Sequence, residues 1–368
     1  ARGDDETLRS HLRRTHLQRV VVDEARMTDQ PVFGRPVLHG IADEADEAGR
    51  SFRALRLVRD FSEQSLGFMA TQVDRPFLDR QATVFGIDHG WRPNARLNVA
   101  TRIIGSQIDQ AGETVSGTGG TMLVDYDMGK GWRHQWLAMH FRDSLQINDF
   151  GFLSRANLNY GHWQLSHRVT ELPKESRYSS HDWRWRISGS NNDDGLELQR
   201  QFRFSRYSVR RDGGSEFGQI NLNGPGHDDR LLRGNGIVET PWNFNTFFEY
   251  SRPRKGNWEI YASAGANNGG IGEERKIGWN ATFKPTYYFT DALSVFVQFY
   301  AETTPQWMVW QHDNLFGTFD ERAVQLDAGL NWSIGDKQEL RVKLQALGLD
   351  APLRQAWRTL PDGTPFAV

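Results

Sequence analysis

Arginine is the most concentrated chemistry in this sequence. Arg184, Arg186, Arg200, Arg203, Arg206, Arg210 and Arg211 crowd two neighbouring segments and the loop between them. A guanidinium is planar, permanently charged and able to grip carboxylate or phosphate with two hydrogen bonds. Such a cluster can line a polar channel, anchor lipid head groups at a membrane rim, or pair with acids. Glu197, Asp212 and Glu216 lie close in sequence, so mutual pairing is the plainest of the three. Histidine offers a second chemistry. His134 and His140 share a face with Trp132, Trp136 and Ala138, and His162 and His167 follow. An imidazole that meets a serine in space can act as base toward an ester. No Gly-x-Ser-x-Gly elbow supports this, no acid is spaced with these histidines for zinc, and wall histidines are the plainer reading. Asn191–Gly195 and Gly226–Arg230 are acidic clusters whose oxygens suit Ca²⁺, yet Asn, Asp and Gly are also ordinary turn residues. Gly117-Thr118-Gly119-Gly120 and Gly269-Gly270-Ile271-Gly272 lack the Gly-Lys-Ser/Thr of a phosphate loop and read as loops between strands. No cofactor and no metal are expected.

The elements that carry these residues are strands. In Ala323–Ile334, Val324, Leu326, Ala328, Leu330, Trp332 and Ile334 hold one parity, and Gln325, Asp327, Gly329, Asn331 and Ser333 the other. Side chains alternate faces along a strand, so one face is apolar and the other polar or small. Gly335-Asp336 reads as a tight turn, after which Leu340, Val342, Leu344 and Ala346 oppose Glu339, Arg341, Lys343 and Gln345. Similar alternation covers Leu293–Glu302, where Phe296 breaks the polar side, and Trp258–Gly265, Trp242–Tyr250, Trp183–Ser188 and Arg96–Ile103. About seventeen such segments, most of roughly 9–14 residues, run from Phe52 to Leu349. The expected lumen or rim charges are Arg184, Arg186, Arg203, Arg206, Glu302, Asp327, Arg341 and Lys343.

Composition narrows the class. Lys and Arg total 44 against 46 Asp and Glu, for a formal net charge of -2, so the basic excess of a nucleic-acid binder is missing. With no cysteine, disulfide frameworks and thiol chemistry are excluded. No segment approaches the ~18–20 apolar residues of a membrane helix, whereas barrel strands need only about 9–11 residues with alternate ones apolar. Strands of 12–14 residues exceed the usual ~5–6 of soluble sheets, and no blade motif recurs at the period of a propeller. Tryptophans gather at strand ends, with Trp132, Trp183, Trp242, Trp258, Trp279 and Trp332 among them. Trp prefers the membrane–water interface, so these are expected to form an aromatic girdle.

Short connections are expected at Asp60–Glu63, Arg92–Asn94, Gly129–Gly131, Thr290-Asp291 and Gly335-Asp336. Long polar ones are expected at Gln107–Thr118, Asp143–Asp149, Glu171–Ser180, Asn223–Asn235, Ala266–Arg275 and Thr304–Phe319. Short turns on one rim and long loops on the other are usual in outer-membrane barrels. The expected fold is all-β, a large antiparallel transmembrane barrel of about 16–18 or more strands. Residues 1–50 read as a charged, irregular or partly helical lead-in, 51–350 as barrel, and 351–368 as a C-terminal loop or tail. The charged N-terminal run reads as that of a mature or trimmed chain.

Three stretches carry a resemblance: Arg56–Gln72 (RLVRDFSEQSLGFMATQ), Asn148–Asn157 (NDFGFLSRAN) and Gln338–Asp350 (QELRVKLQALGLD). Together they resemble a Gram-negative family that joins an N-terminal family-nine-like carbohydrate-binding module to a C-terminal barrel of unknown function. The likeness covers roughly residues 50–350. It implies an integral outer-membrane location, contact with outer-membrane lipid and lipopolysaccharide, and envelope protein partners, but no nucleic acid. The module itself is absent from these residues, and Thr364–Val368 lacks the aromatic-ended strand that closes many barrels. The chain is therefore expected to be the greater part of a larger barrel. Three functions follow as expectations: a pore or transport/secretion platform, a membrane-embedded lipid or glycan hydrolase, and a non-catalytic scaffold.

Overall fold

Alternation becomes strand almost everywhere. A computed structural model describes residues 25–27, 50–272 and 275–368, the first three by backbone alone. Among these residues one 3-10 turn, Pro76–Leu78, interrupts an otherwise all-β chain. The chain forms two compact units, one holding the residues through Asp127 with Gln135–Gly161, the other Met128–His134 with His162–Val368.

The first unit is an antiparallel meander. Strand β1 (Ala25–Met27) pairs with the start of β2 (Arg50–Phe61), and β3 (Gln64–Arg75), β4 (Arg80–Trp91), β5 (Leu97–Gln110) and β6 (Glu113–Gly129) follow in turn. Register sorts the faces. Leu57, Phe68, Ile87 and Ile103 stand directly opposite one another across β2 to β5, and each is 36–59% exposed. The other face carries Arg56, Asp88, Val73, Ala82 and Ile108, of which the last three are buried. Strands β7 (Trp132–Phe141) and β8 (Leu158–Val169) give residues to both units.

The second unit continues the pattern with β9 (Tyr178–Asn191), β10 (Glu197–Arg210), β11 (Ser215–Asn223), two short strands β12 (Gly226–Asp228) and β13 (Val238–Thr240), β14 (Asn243–Lys255), β15 (Trp258–Asn267) and β16 (Gly278–Tyr288). Then come β17 (Leu293–His312), β18 (Leu315–Ile334), β19 (Gln338–Asp350), β20 (Leu353–Thr359) and β21 (Pro365–Ala367). Each long strand from β9 to β19 pairs antiparallel with the next, while β12 pairs with β13 aside. An apolar row runs Ala262, Phe283, Phe299, Leu326, Ala346 across five strands. All thirteen residues of β19 are exposed.

Two expected loops are strand instead. Gln107–Thr118 is a tight hairpin in which Ala111 and Gly112 take positive φ (51° and 82°), the geometry that matches strand twist. The glycine run there lies inside β6, not between strands. Thr304–Phe319 belongs to β17 and β18, which are twenty residues each. A bulge at Pro305 and Gln306, with φ 58° at Gln306, carries the proline through the strand. Residues 353–359, expected as tail, extend β19 as β20, which pairs with the far half of β18. The expected lead-in of residues 1–50 lies outside the described residues, except for Ala25–Met27 and Arg50.

Candidate functional site

The polar face is where side chains converge. In the second unit β15 and β16 place Glu259, Tyr261, Thr282 and Lys284 on it, and β14 and β17 add Ser251 and Gln298. Together they line a recess of about 450 Å³. Glu259 accepts a hydrogen bond from Tyr288 Oη at 2.7 Å, and Glu249 accepts one from Tyr261 Oη at 3.2 Å. The Lys284 ammonium stands 4.7 Å from the centre of the Phe296 ring, so the aromatic that broke the polar alternation serves as a platform for the cation. The recess therefore offers one cation, one carboxylate and several hydroxyls, a surface suited to polar solutes.

Around it the strands carry a hydrogen-bonded lattice. Glu302 accepts from Tyr300 Oη. Asp327, 4% exposed, accepts from Gln325 Nε2 at 3.1 Å and lies 3.4 Å from the Lys343 ammonium. Arg341 pairs with Glu339 at 2.6 Å and Arg184 with Asp182 at 2.9 Å. Arg186 donates to Gln164 at 2.7 Å, and Arg203 to Asn221 at 2.7 Å. Of the expected charges, Arg184, Arg186 and Arg203 share this face in register, but Arg206 falls opposite Trp183, on the apolar face. A single step in β10 separates the two environments because side chains alternate.

In the first unit the polar face is partly covered from within. Residues 142–157, linking β7 and β8, fold back onto it. Leu145 is 3% exposed, the Gln146 N–H donates to Ser106 Oγ at 3.0 Å, and Phe150 meets Phe52 at 5.7 Å between ring centres. Close approach requires glycine: a Cβ at Gly117 would overlap the Leu145 backbone. Asp149, its side chain 5% exposed, is the pin. Arg80 grips it with two bonds, Nε to Oδ1 at 3.0 Å and Nη2 to Oδ2 at 2.7 Å, and Arg75 lies 3.4 Å away. These hydrogen bonds hold the Asp149 carboxyl below its ordinary range, Arg80 contributing most. Farther along the same face Arg56 and Asp88 pair at 2.6 Å.

The tryptophans of the expected girdle keep to the apolar parity. Trp132 stacks on His167 at 4.0 Å and lies 6.3 Å from Trp185, and Trp183 packs against His167 and His181. Trp258 meets Tyr287 edge-on at 4.9 Å. Trp132, Trp183, Trp258 and Trp332 lie toward the short-turn ends of their strands, Trp242 and Trp279 toward the opposite ends. Trp242, Trp258, Trp279 and Trp332 are 43–52% exposed.

Of the histidines singled out from the sequence, His134 Nδ1 accepts from Trp163 Nε1 at 3.0 Å, and His140 Nδ1 lies 2.6 Å from Asn159 Oδ1. His181, which the sequence did not single out, has Nδ1 2.9 Å from Ser208 Oγ. In the acidic clusters Asn192 and Asp228 accept backbone N–H bonds that close their turns. Among the described residues no three His, Asp or Glu side chains converge as a metal site. Sequence reading passed over Asp149, Arg75 and Arg80, which meet across long separations. It placed Glu259 and Tyr261 on the polar parity without singling them out.

An antiparallel meander of long strands, apolar and exposed on one side and charged on the other, defines the transmembrane β-barrel class. Residues 56–360 match the model of a domain of unknown function, DUF5916, and the chain belongs to that family. No curated protein matches the sequence. The fold is similar to several solved structures at low identity. The siderophore receptor PirA from Pseudomonas aeruginosa has a TM-score of 0.45 at 10% identity, covering 84% of this chain and 70% of that one. The copper transporter OprC has a TM-score of 0.47 at 10% identity, covering 82% and 59%. OpdK from Pseudomonas aeruginosa, with vanillate, has a TM-score of 0.42 at 11% identity, covering 82% and 88%.

Proposed function

We propose that this chain builds the wall of an outer-membrane β-barrel that serves as a pore or transport platform for polar solutes. The observation that carries this reading is the division of faces. Rows of exposed apolar side chains cross consecutive strands on one side, while the other side holds paired charges, tyrosine–carboxylate bonds and the Lys284 recess. A soluble protein rarely exposes so much contiguous apolar surface, whereas a barrel wall in lipid requires it. The long connections at 142–157, 224–242 and 268–277 alternate with short ones along the meander, as expected of loop-rich and turn-rich rims. Outer-membrane lipid and lipopolysaccharide would then contact the apolar face, and envelope proteins would meet the rims.

Within this reading residues 142–157 narrow the polar passage, and the recess around Lys284 and Glu259 favours hydroxyl-rich polar solutes. The test is reconstitution of the heat-modifiable, detergent-folded chain into planar bilayers. Stepwise ionic current is expected. A correctly folded protein that carries no current and releases no entrapped solute from vesicles would refute the pore.

A further inference from the structure

On the apolar face of the second unit, strands β10, β11, β14 and β15 leave a groove of about 580 Å³. That lies within the roughly 300–1,000 Å³ typical of ligand sites. Its walls are Phe204, Ile220, Phe248 and Ala264, with Ile220 and Phe248 43% and 50% exposed. Its floor is Gly218, which stands in register between Arg206 and Phe248. A Cβ added there would meet nothing within 4 Å, so the groove is open space and not a packed seam.

The end of the groove nearest the β10–β11 turn is chemically different. Arg206 projects there from the apolar face. Its Nε donates to Ser208 Oγ at 2.8 Å, and its guanidinium lies 5.4 Å from the centre of the Tyr178 ring. Ser208 is 1% exposed and also contacts His181, so the arginine is held in place. The acid on this face, Glu216, is already taken: Tyr178 Oη donates to it at 2.7 Å and Arg210 lies 3.4 Å away. Among the described residues no carboxylate forms an ion pair with Arg206.

A cation on a lipid-facing surface is costly unless it sits at head-group depth beside an anion. An apolar groove ending in such a cation has the shape and charge of one kind of occupant. We propose that this groove binds an anionic phospholipid, with an acyl chain against Phe204, Ile220 and Phe248 and the phosphate on Arg206. Trp183, opposite Arg206 in register, belongs at the same interfacial depth. The site rests on the membrane-barrel reading above.

The experiment uses the full chain folded in zwitterionic detergent and titrated with phosphatidylglycerol or phosphatidylcholine, with retained lipid per chain read by native mass spectrometry. The wild-type chain is expected to retain phosphatidylglycerol about fivefold better, the worth of one well-placed basic residue. Arg206→Gln should bring the two lipids to parity and Arg206→Lys should keep most of the preference. Gly218→Leu, which fills the groove without touching the charge, should lower retention of both. Equal retention by the wild-type chain, or an undiminished preference in Arg206→Gln, would overturn the site. A chain that stays monodisperse in water without detergent would overturn the barrel reading itself. A chain that folds in micelles, shows heat-modifiable migration and has no lipid preference would overturn the lipid site alone.

Discussion

Replacing Asp149 with Asn tests whether residues 142–157 restrict the passage. The carboxylate is 5% exposed and offers Arg80 two bonds and Arg75 a third contact, while the arginine side chains are 17% and 22% exposed. Removing one member of a fully buried ion pair costs roughly 3–5 kcal/mol, because the opposite charge is left uncompensated. Partial exposure of both arginines lets water recover part of that, so about 2–3 kcal/mol is expected here. That free energy multiplies the undocked population of the segment by roughly 30–150. Leu145 and the Phe52–Phe150 contact still favour docking, so the variant should flicker between states and not simply lose the segment. Single-channel recordings should show larger or more frequent open events. Hydrogen exchange at the Gln146 amide, which donates to Ser106, should quicken by a similar factor. Asp149→Glu should recover part of the effect. If conductance and Gln146 exchange both match the wild-type chain, the Arg75–Asp149–Arg80 cluster does not hold the segment and the reasoning fails.

The same pin predicts a pH dependence. The carboxyl of Asp149 is lowered in the folded protein, so its contribution is present above the ordinary carboxylate range and fades as pH falls through the lowered value. Acidification of the wild-type chain below that range should therefore raise conductance, and Asp149→Asn should show a flat profile over the same interval. Lys284→Glu puts a negative charge into the 450 Å³ recess, so the reversal potential in a salt gradient should move toward cation selectivity; an unchanged potential would remove Lys284 from the permeation path. Phe316, 0% exposed in a cluster with Leu232, Val238 and Ile271, should cost roughly 3–5 kcal/mol as Phe316→Ala. Thermal melting of the detergent-folded chain measures this, and a loss below about 1 kcal/mol would contradict the packing described.

Much of the wall was legible because its signal has period two and its neighbours are adjacent in sequence. Alternation in Ala323–Ile334 alone identified which of Leu326 and Asp327 shares a face with Leu344, and register bears this out. Where a bulge carries a proline through a strand, as at Pro305 and Gln306, pattern reading stopped short of the real strand end. It stopped again at Pro352, beyond which β20 carries on beside β18. Contacts that bridge loops were invisible for a different reason. Arg80 and Asp149 are 69 positions apart, and no local periodicity links them. Glycines at 117 and 119 resembled a loop, yet their use is to let another backbone lie against a strand. The sequence set Arg206 among the lumen or rim charges, whereas register puts it on the apolar face with Trp183, and its company of Ser208 and Tyr178 arises from contacts that no local pattern encodes.

The β17–β18 hairpin is longer than the hydrocarbon layer of a bilayer is thick. Twenty residues at about 3.3 Å each extend roughly 66 Å, and a tilt near 45° leaves about 45 Å along the membrane normal. The hydrocarbon layer is about 30 Å thick, so in the barrel proposed above the tip near Asp313 would stand beyond the hydrocarbon. There Phe316, Leu232, Val238 and Ile271 bury one another as the core of a water-soluble domain would. One polypeptide thus obeys two solvents. Its midsection turns oil-like side chains outward, and its crown folds them away, so an apolar residue serves opposite ends at the two levels of one hairpin.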